Sequence, residues 1–335
     1  MIDQHLEGRS RHQLVGLFLG PLLAIAMIVS GAPDGLSDSG WMTAAVGVLM
    51  AVWWATEAVP IAVTALLPIV VFPLLGIATI QDTTSPYANK VIYLFLGGFI
   101  VAFAMQRWNL HRRIALNVLQ HVGGNGRSLI GGFMLAAAII SMWVMNTSTT
   151  MMLLPIAVSI IGVIHGSVDS LDEKARLDFQ YALLLGVAYA ATIGGMATLV
   201  GTAPNALLAA FMQETYGIEI DFASWMLVGL PLSALMLPLA WFVLTRIAFK
   251  VDFRTSGEGK ATLRRLKEEL GPISTPEIRV AIVFTLMAIT WVARPLLVKL
   301  PGLSALDDSG IAMAGAIALF LIPSGDKSDP MLLRW

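Results

Sequence analysis

Between Arg127 and Asp169 the chain carries no charged residue. The middle of that stretch nevertheless holds a polar run, Ser141-Met142-Trp143-Val144-Met145-Asn146-Thr147-Ser148-Thr149-Thr150. An uncharged stretch of this length belongs in a hydrocarbon core or a protein interior. Neither supplies water, so the hydroxyls and the Asn146 amide must be satisfied by protein, by an ion or by a substrate. Asn146 and its neighbours are therefore the first place to look for function.

The remaining sequence puts this run in a membrane. Hydrophobic residues make up 57% of the chain and charged residues 13%, against about 25% charged in a soluble domain. This predicts an all-α polytopic membrane protein. A net charge of −1 gives no electrostatic reason to expect nucleic acid as a partner. The absence of cysteine excludes disulfides, thiolate metal sites and cysteine nucleophiles. Arg9 and Arg11 lead into an apolar run with no small-residue cleavage site, which reads as an anchor rather than a removed signal peptide.

Apolar runs near the roughly 20 residues a span needs occur at 13–30, 41–59, 61–80, 91–106, 181–212, 226–249, 278–298 and 309–323. Residues 128–164 form a ninth region. Its arms, Ser128–Met145 and Thr150–Ile164, reach about 27 and 22 Å at 1.5 Å per residue, short of a ~30 Å core. A re-entrant hairpin with its tip near the midplane is expected. The 181–212 run is interrupted by Gly194-Gly195-Met196-Ala197-Thr198-Leu199-Val200-Gly201-Thr202-Ala203-Pro204-Asn205. Glycine and proline remove helix propensity, and proline suits the start of a new helix. Two half-helices with an unwound link at about Gly201–Asn205 follow. A short amphipathic interfacial helix is expected around Leu263, Leu266 and Leu270.

Orientation follows from Lys/Arg placement. With the N-terminus cytoplasmic, all but Lys90, Arg294 and Lys299 of the 21 basic residues fall on the inner side. The acidic segment Glu214–Asp221 falls outside.

If the second arm begins near Asn146 and the second half-helix near Pro204, two helix N-termini converge at mid-membrane and suit an anion. The C-terminal ends of the preceding segments offer carbonyl oxygens which, with Ser141 and Asn146, suit sodium. Taken singly, Ser148, Thr149 and Thr150 are better explained as hydroxyls bonding back to helix backbone. Glu57 is as well explained by capping as by an ion or proton role. The five histidines (His5, His12, His111, His121, His165) read as solvated. Trp41, Trp108, Trp225 and Trp335 read as an interfacial belt. No metalloprotease, Walker A or nucleophile-elbow motif occurs, so the chain is not expected to be an enzyme, and no cofactor is expected beyond a bound sodium as coupling ion.

The hairpin run and the Gly194–Asn205 link, with Trp53-Trp54-Ala55-Thr56-Glu57-Ala58-Val59-Pro60 and Leu96-Gly97-Gly98-Phe99, resemble the divalent anion:sodium symporter family. The resemblance implies an inverted-repeat secondary transporter of the inner membrane, working as a homodimer by an elevator motion. Its substrates would be succinate-type dicarboxylates, citrate or sulfate. It also implies sodium held by Ser141, the Met145 backbone, Asn146 and the Gly201 carbonyl, with the anion on Asn146, Thr147 and Thr202. The family signature has serine where Met145 stands and proline where Ala203 stands. On this pattern residues 10–40 are a first helix, 41–249 the first repeat, 250–276 a cytoplasmic linker and 277–335 the start of a second repeat. No second hairpin tip occurs, so the second repeat is expected to be incomplete and these 335 residues alone not to transport. A sodium-independent exchanger or proton-coupled carrier, and a non-transporting fragment or scaffold, are the alternatives.

Overall fold

Prolines and glycines break some of the apolar runs, whereas Pro21, Pro155, Pro231 and Pro238 sit inside continuous helices. A computed structural model of the chain describes residues 9–123, 125–167, 172–253, 258–326 and 329–334; His5 and Trp335 lie outside the described residues. The chain divides into two units, Met1–Asn89 and Lys90–Trp335.

In the first unit, helices α1 (Arg11–Ser30) and α2 (Asp38–Thr56) pack along a stripe of small residues. Gly16, Gly20 and Ala24 are buried, and a Cβ on Gly20 would lie 3.0 Å from both Leu49 and Trp53. Such close approach is how helices associate when lipid removes any hydrophobic drive between them. Glu57 ends α2 in the left-handed conformation, φ 50°, with its carbonyl accepting from Gln13; the capping role is the one observed. The expected span at 61–80 is not one helix. It comprises α3 (Ile61–Thr64), α4 (Leu67–Leu74) and, after Gly76 at φ 67°, α5 (Ile80–Thr84). Pro68 sits in the first turn of α4, where a helix readily starts, and Gly76 turns the chain.

The second unit begins with α6 (Lys90–Arg107) and α7 (Leu110–Gln120), followed by α8 (Gly126–Ser141) and α9 (Asn146–Ser167). Next come α10 (Glu173–Gly195), α11 (Ala203–Tyr216) and α12 (Phe222–Phe242) with its π-helical extension Val243–Ala248. The last elements are α13 (Glu258–Glu269), α14 (Thr275–Leu297) and α15 (Asp308–Leu321). One core joins α8, α9 and α10 through Phe133, Leu153, Ile160 and Phe179, all fully buried. Another joins α6, α14 and α15 around Trp291.

Seven helices among the described residues are long and apolar enough to cross a membrane, and three more apolar segments are shorter. The protein is a multi-pass membrane protein built from helices, as the composition implied. The run 309–323 yields only the 14 residues of α15. The amphipathic helix appears as α13, with Leu263 buried and Leu266 and Leu270 packed on the α8–α10 core. Lys90, Glu219, Arg294 and Asp307 meet at one end of this unit through ion pairs of 3.4–3.6 Å.

Candidate functional site

Two helix interruptions meet in the second unit. The first is the four-residue turn 142–145 between α8 and α9. Met142 and Val144 still donate to Ala138 and Ile140, while Trp143 bonds three residues back to Ile140, so α8 tightens as it ends, and α9 restarts at Asn146. The second is 196–202, between α10 and α11. Met196 and Ala197 bond back to Ile193 and Gly194, and α11 restarts at Ala203 with Thr202 as its N-cap and Pro204 in its first turn. Proline there suits a helix start, since its missing N–H would have had no acceptor.

Glycines let the two approach. A Cβ on Gly194 would fall 2.3 Å from the Ala138 carbonyl oxygen, so α8 and α10 touch backbone to backbone as they end. A Cβ on Gly195 would fall 2.4 Å from Asn146 Oδ1, and one on Gly201 would fall 2.5 Å from the Gly195 carbonyl oxygen. Asn146 thus lies against Gly195, and Gly195 against Gly201. Ser141, fully buried, donates to Asn146 Oδ1 at 2.8 Å. Thr198 donates to the Met142 carbonyl, which ties the second interruption to the first.

The carbonyls released at the end of α10 are taken by side chains. Ser233 donates to Ile193 at 2.7 Å and Trp225 to Met196 at 3.0 Å. Asn205, 6% exposed, gives its amide to Gly195 at 2.9 Å and to Thr198 at 2.8 Å. Each such bond contributes about 1 kcal/mol, and loss of the donor costs more because a buried carbonyl is left bare.

The residues expected from the sequence fall into two groups. Ser141, Asn146 and Gly201 are brought together through Gly195. Thr202 is half-buried at the start of α11, and its hydroxyl does not cap that helix. Met145 is 45% exposed and its carbonyl accepts from Thr149. Thr147 is exposed on the first turn of α9. Thr149 and Thr150 bond to the backbone carbonyls of Val144 and Asn146, as the structural explanation required. Ser148 does not; it accepts from Gln106 of α6 at 2.8 Å.

Four expectations need correction. The second hairpin arm is 22 residues, not 15, about 33 Å long, so the argument for re-entry from length holds for the first arm only. The break lies at 196–202 rather than 201–205, and α10 starts at Glu173, well before the apolar run. Trp225 bonds the Met196 carbonyl at the break, a contact the interfacial expectation did not include. His111 is not solvated: it is 9% exposed and bonded to the Met105 carbonyl, and burial lowers its pKa from 6.5. The sequence reading also missed Thr198, Asn205 and Ser233. Asn205 was visible beside Pro204; Ser233, one hydroxyl in the apolar α12, gave no local signal.

Neither interruption contains an ionisable side chain. Charge must therefore arrive with the ligands and be met by dipoles. The starts of α9 and α11 each present a partial positive charge of about +0.5, which suits an anion. Ser141 Oγ and Asn146 Oδ1, beside the ends of α8 and α10, are the hard oxygen donors a small cation needs.

Comparison with known proteins identifies the family. Residues 11–335 match the family described as the sodium:sulfate symporter transmembrane region. The chain belongs to that family. Its members are transporters, not enzymes. The chain is similar to a sodium-dependent dicarboxylate transporter, SdcS, of Staphylococcus saprophyticus, 41% identical over 320 residues. It is also 39% identical over 317 residues to the protein of the same name in Staphylococcus aureus strain USA300. Each alignment covers 94% of this chain and 61% of the relative. The chain therefore spans about three-fifths of the length of the curated relatives it matches.

Proposed function

We propose that the protein carries small divalent anions, C4-dicarboxylates such as succinate, in symport with sodium across the plasma membrane. The observation that carries this is the contact of Asn146 with Gly195, which joins two helix starts and two helix ends in one uncharged site. The names of the relatives favour a dicarboxylate over sulfate or citrate.

Sodium is held by Ser141 Oγ, Asn146 Oδ1 and the carbonyls of Met145 and Gly201. The anion meets Asn146, Thr147 and Thr202 at the starts of α9 and α11. A cation about 4 Å from a carboxylate is worth roughly 4 kcal/mol at an effective dielectric of 20. With no lysine or arginine in either interruption, sodium supplies part of the neutralisation a dianion needs, which is the basis of coupling. Residues 128–164 act as a hairpin that moves with the broken helix as one body against a dimeric scaffold. The N-terminus is cytoplasmic, the end carrying Lys90 and Arg294 faces outward, and residues 250–276 form the cytoplasmic linker between repeats 41–249 and 277–335.

Uptake of labelled succinate by cells expressing a version that also carries a complete second repeat should require external sodium and should be lost in Asn146→Ala and Thr202→Ala. Uptake at the wild-type rate in either variant would overturn the site. Met145, where the family signature has a serine hydroxyl, favours a second reading, a sodium-independent exchanger or proton-coupled carrier. Exchange that persists after sodium is removed would establish it.

A further inference from the structure

A cavity of about 520 Å³ opens where α8 begins and the π-helical extension of α12 ends, lined by Asn125, Arg127, Ser128, Trp241, Arg246 and Asp252 among others. It is far from the transport site: α8 has 16 residues, so its start lies about 24 Å from Ser141. We propose that this cavity binds a phosphate-bearing anion, the headgroup of an anionic phospholipid, through Arg127 and Arg246.

Charge and packing both support it. Two guanidinium groups line the cavity against one carboxylate. Asp252 is 82% exposed in its side chain and reaches Arg127 only at 3.4 Å. Among the described residues Arg127 Nε is buried with no hydrogen-bond partner, although a guanidinium is the donor group best matched to phosphate oxygens. The walls are fixed. A Cβ on Gly126 would strike Phe253 at 2.7 Å and Val251 at 2.8 Å. Trp241 donates to the Arg127 carbonyl at 2.9 Å, and Asn125 caps Ser128 at 2.7 Å. Arg246 sits in the π-helical segment Val243–Ala248; an extra residue per turn is a costly geometry that helices keep mostly at functional sites. Trp241, near the end of a spanning helix, suits the depth of lipid headgroups. A headgroup here would bridge the start of α8 to the end of α12.

The test is native mass spectrometry of the protein exchanged from phosphatidylcholine nanodiscs, titrated with phosphatidylglycerol and, separately, with inorganic phosphate. Phosphatidylglycerol should bind more tightly than phosphatidylcholine. Arg246→Gln should weaken that binding at least about fivefold, the effect of one basic residue at an anionic surface, and Arg246→Lys should recover part of it. Arg246 is exposed, so Arg246→Gln should melt as wild type does, whereas Arg127→Gln carries a folding risk and serves only as a second variant. Inorganic phosphate binding equally well and with the same Arg246 dependence would assign the cavity to the free anion and overturn the lipid. Equal retention of the two lipids, or no effect of Arg246→Gln, would overturn the site.

Discussion

The hairpin tip and the helix break interrupt their helices in opposite ways. At the break, Ala197, Thr198, Leu199 and Val200 are all at most 4% exposed, and Ser233, Trp225 and Asn205 occupy the carbonyls of Ile193, Gly195, Met196 and Thr198. At the tip, Met145 and Thr147 are exposed, and the Ser141–Asn146 bond is the central polar contact. An interruption whose backbone groups are already satisfied makes a rigid socket. One with accessible hydroxyls and a fresh helix start can offer them to a ligand. On the proposed function the pair would divide the work: the break would mainly hold the geometry while lending Gly201 and Thr202, and the tip would make the rest of the contact with what is carried.

That division can be broken most directly at Gly194. A methyl there meets the Ala138 backbone, which cannot move aside as a side chain can. Gly194→Ala should cost about 3 kcal/mol of stability, read from thermal unfolding in detergent. Asn205→Ala should come next, at about 2 kcal/mol for two lost hydrogen bonds, the Thr198 carbonyl keeping only its 3.4 Å bond from Gly201. Asn205→Asp, of the same shape without the donors, should lose as much, which cavity formation alone would not explain. At the tip, Thr150→Ala removes only a bond back to its own helix and should change stability by less than about 0.5 kcal/mol with uptake intact.

The smallest effect concerns pH. With no titratable side chain in either interruption, sodium affinity should be flat between about pH 6 and 8, whereas a proton-coupled carrier would show a slope. Overall stability should still change, because burial of His111 disfavours its charged form. Its pKa is lower in the fold than in the unfolded chain, so its contribution is complete above the ordinary value near 6.5. It is lost as pH falls, when the unfolded chain takes up a proton that the fold resists.

Much of this was legible in residues, for stated reasons. Long apolar runs give spans because backbone in lipid must bond to itself. The pairing of Asn146 with a Gly–Gly and Pro–Asn link was visible because polar groups and helix breakers are conspicuous in apolar surroundings. Exact helix ends were not. Asp172, whose side chain caps Ala175, starts α10 before the hydropathy rises. Thr150 satisfies its hydroxyl on the helix, so α9 tolerates a threonine-rich first turn that local propensity would end. The clamps on the break were illegible because Ser233 and Trp225 come from a helix distant in sequence.

The most direct test of the joint site is sodium-induced thermal stabilisation of the purified protein, which follows binding without requiring transport. Sodium, relative to choline, should raise the melting temperature of wild type and Thr150→Ala and leave Asn146→Ala and Asn205→Ala unmoved. A sodium shift of wild-type size in Asn146→Ala would show that the tip and the break do not share the ion.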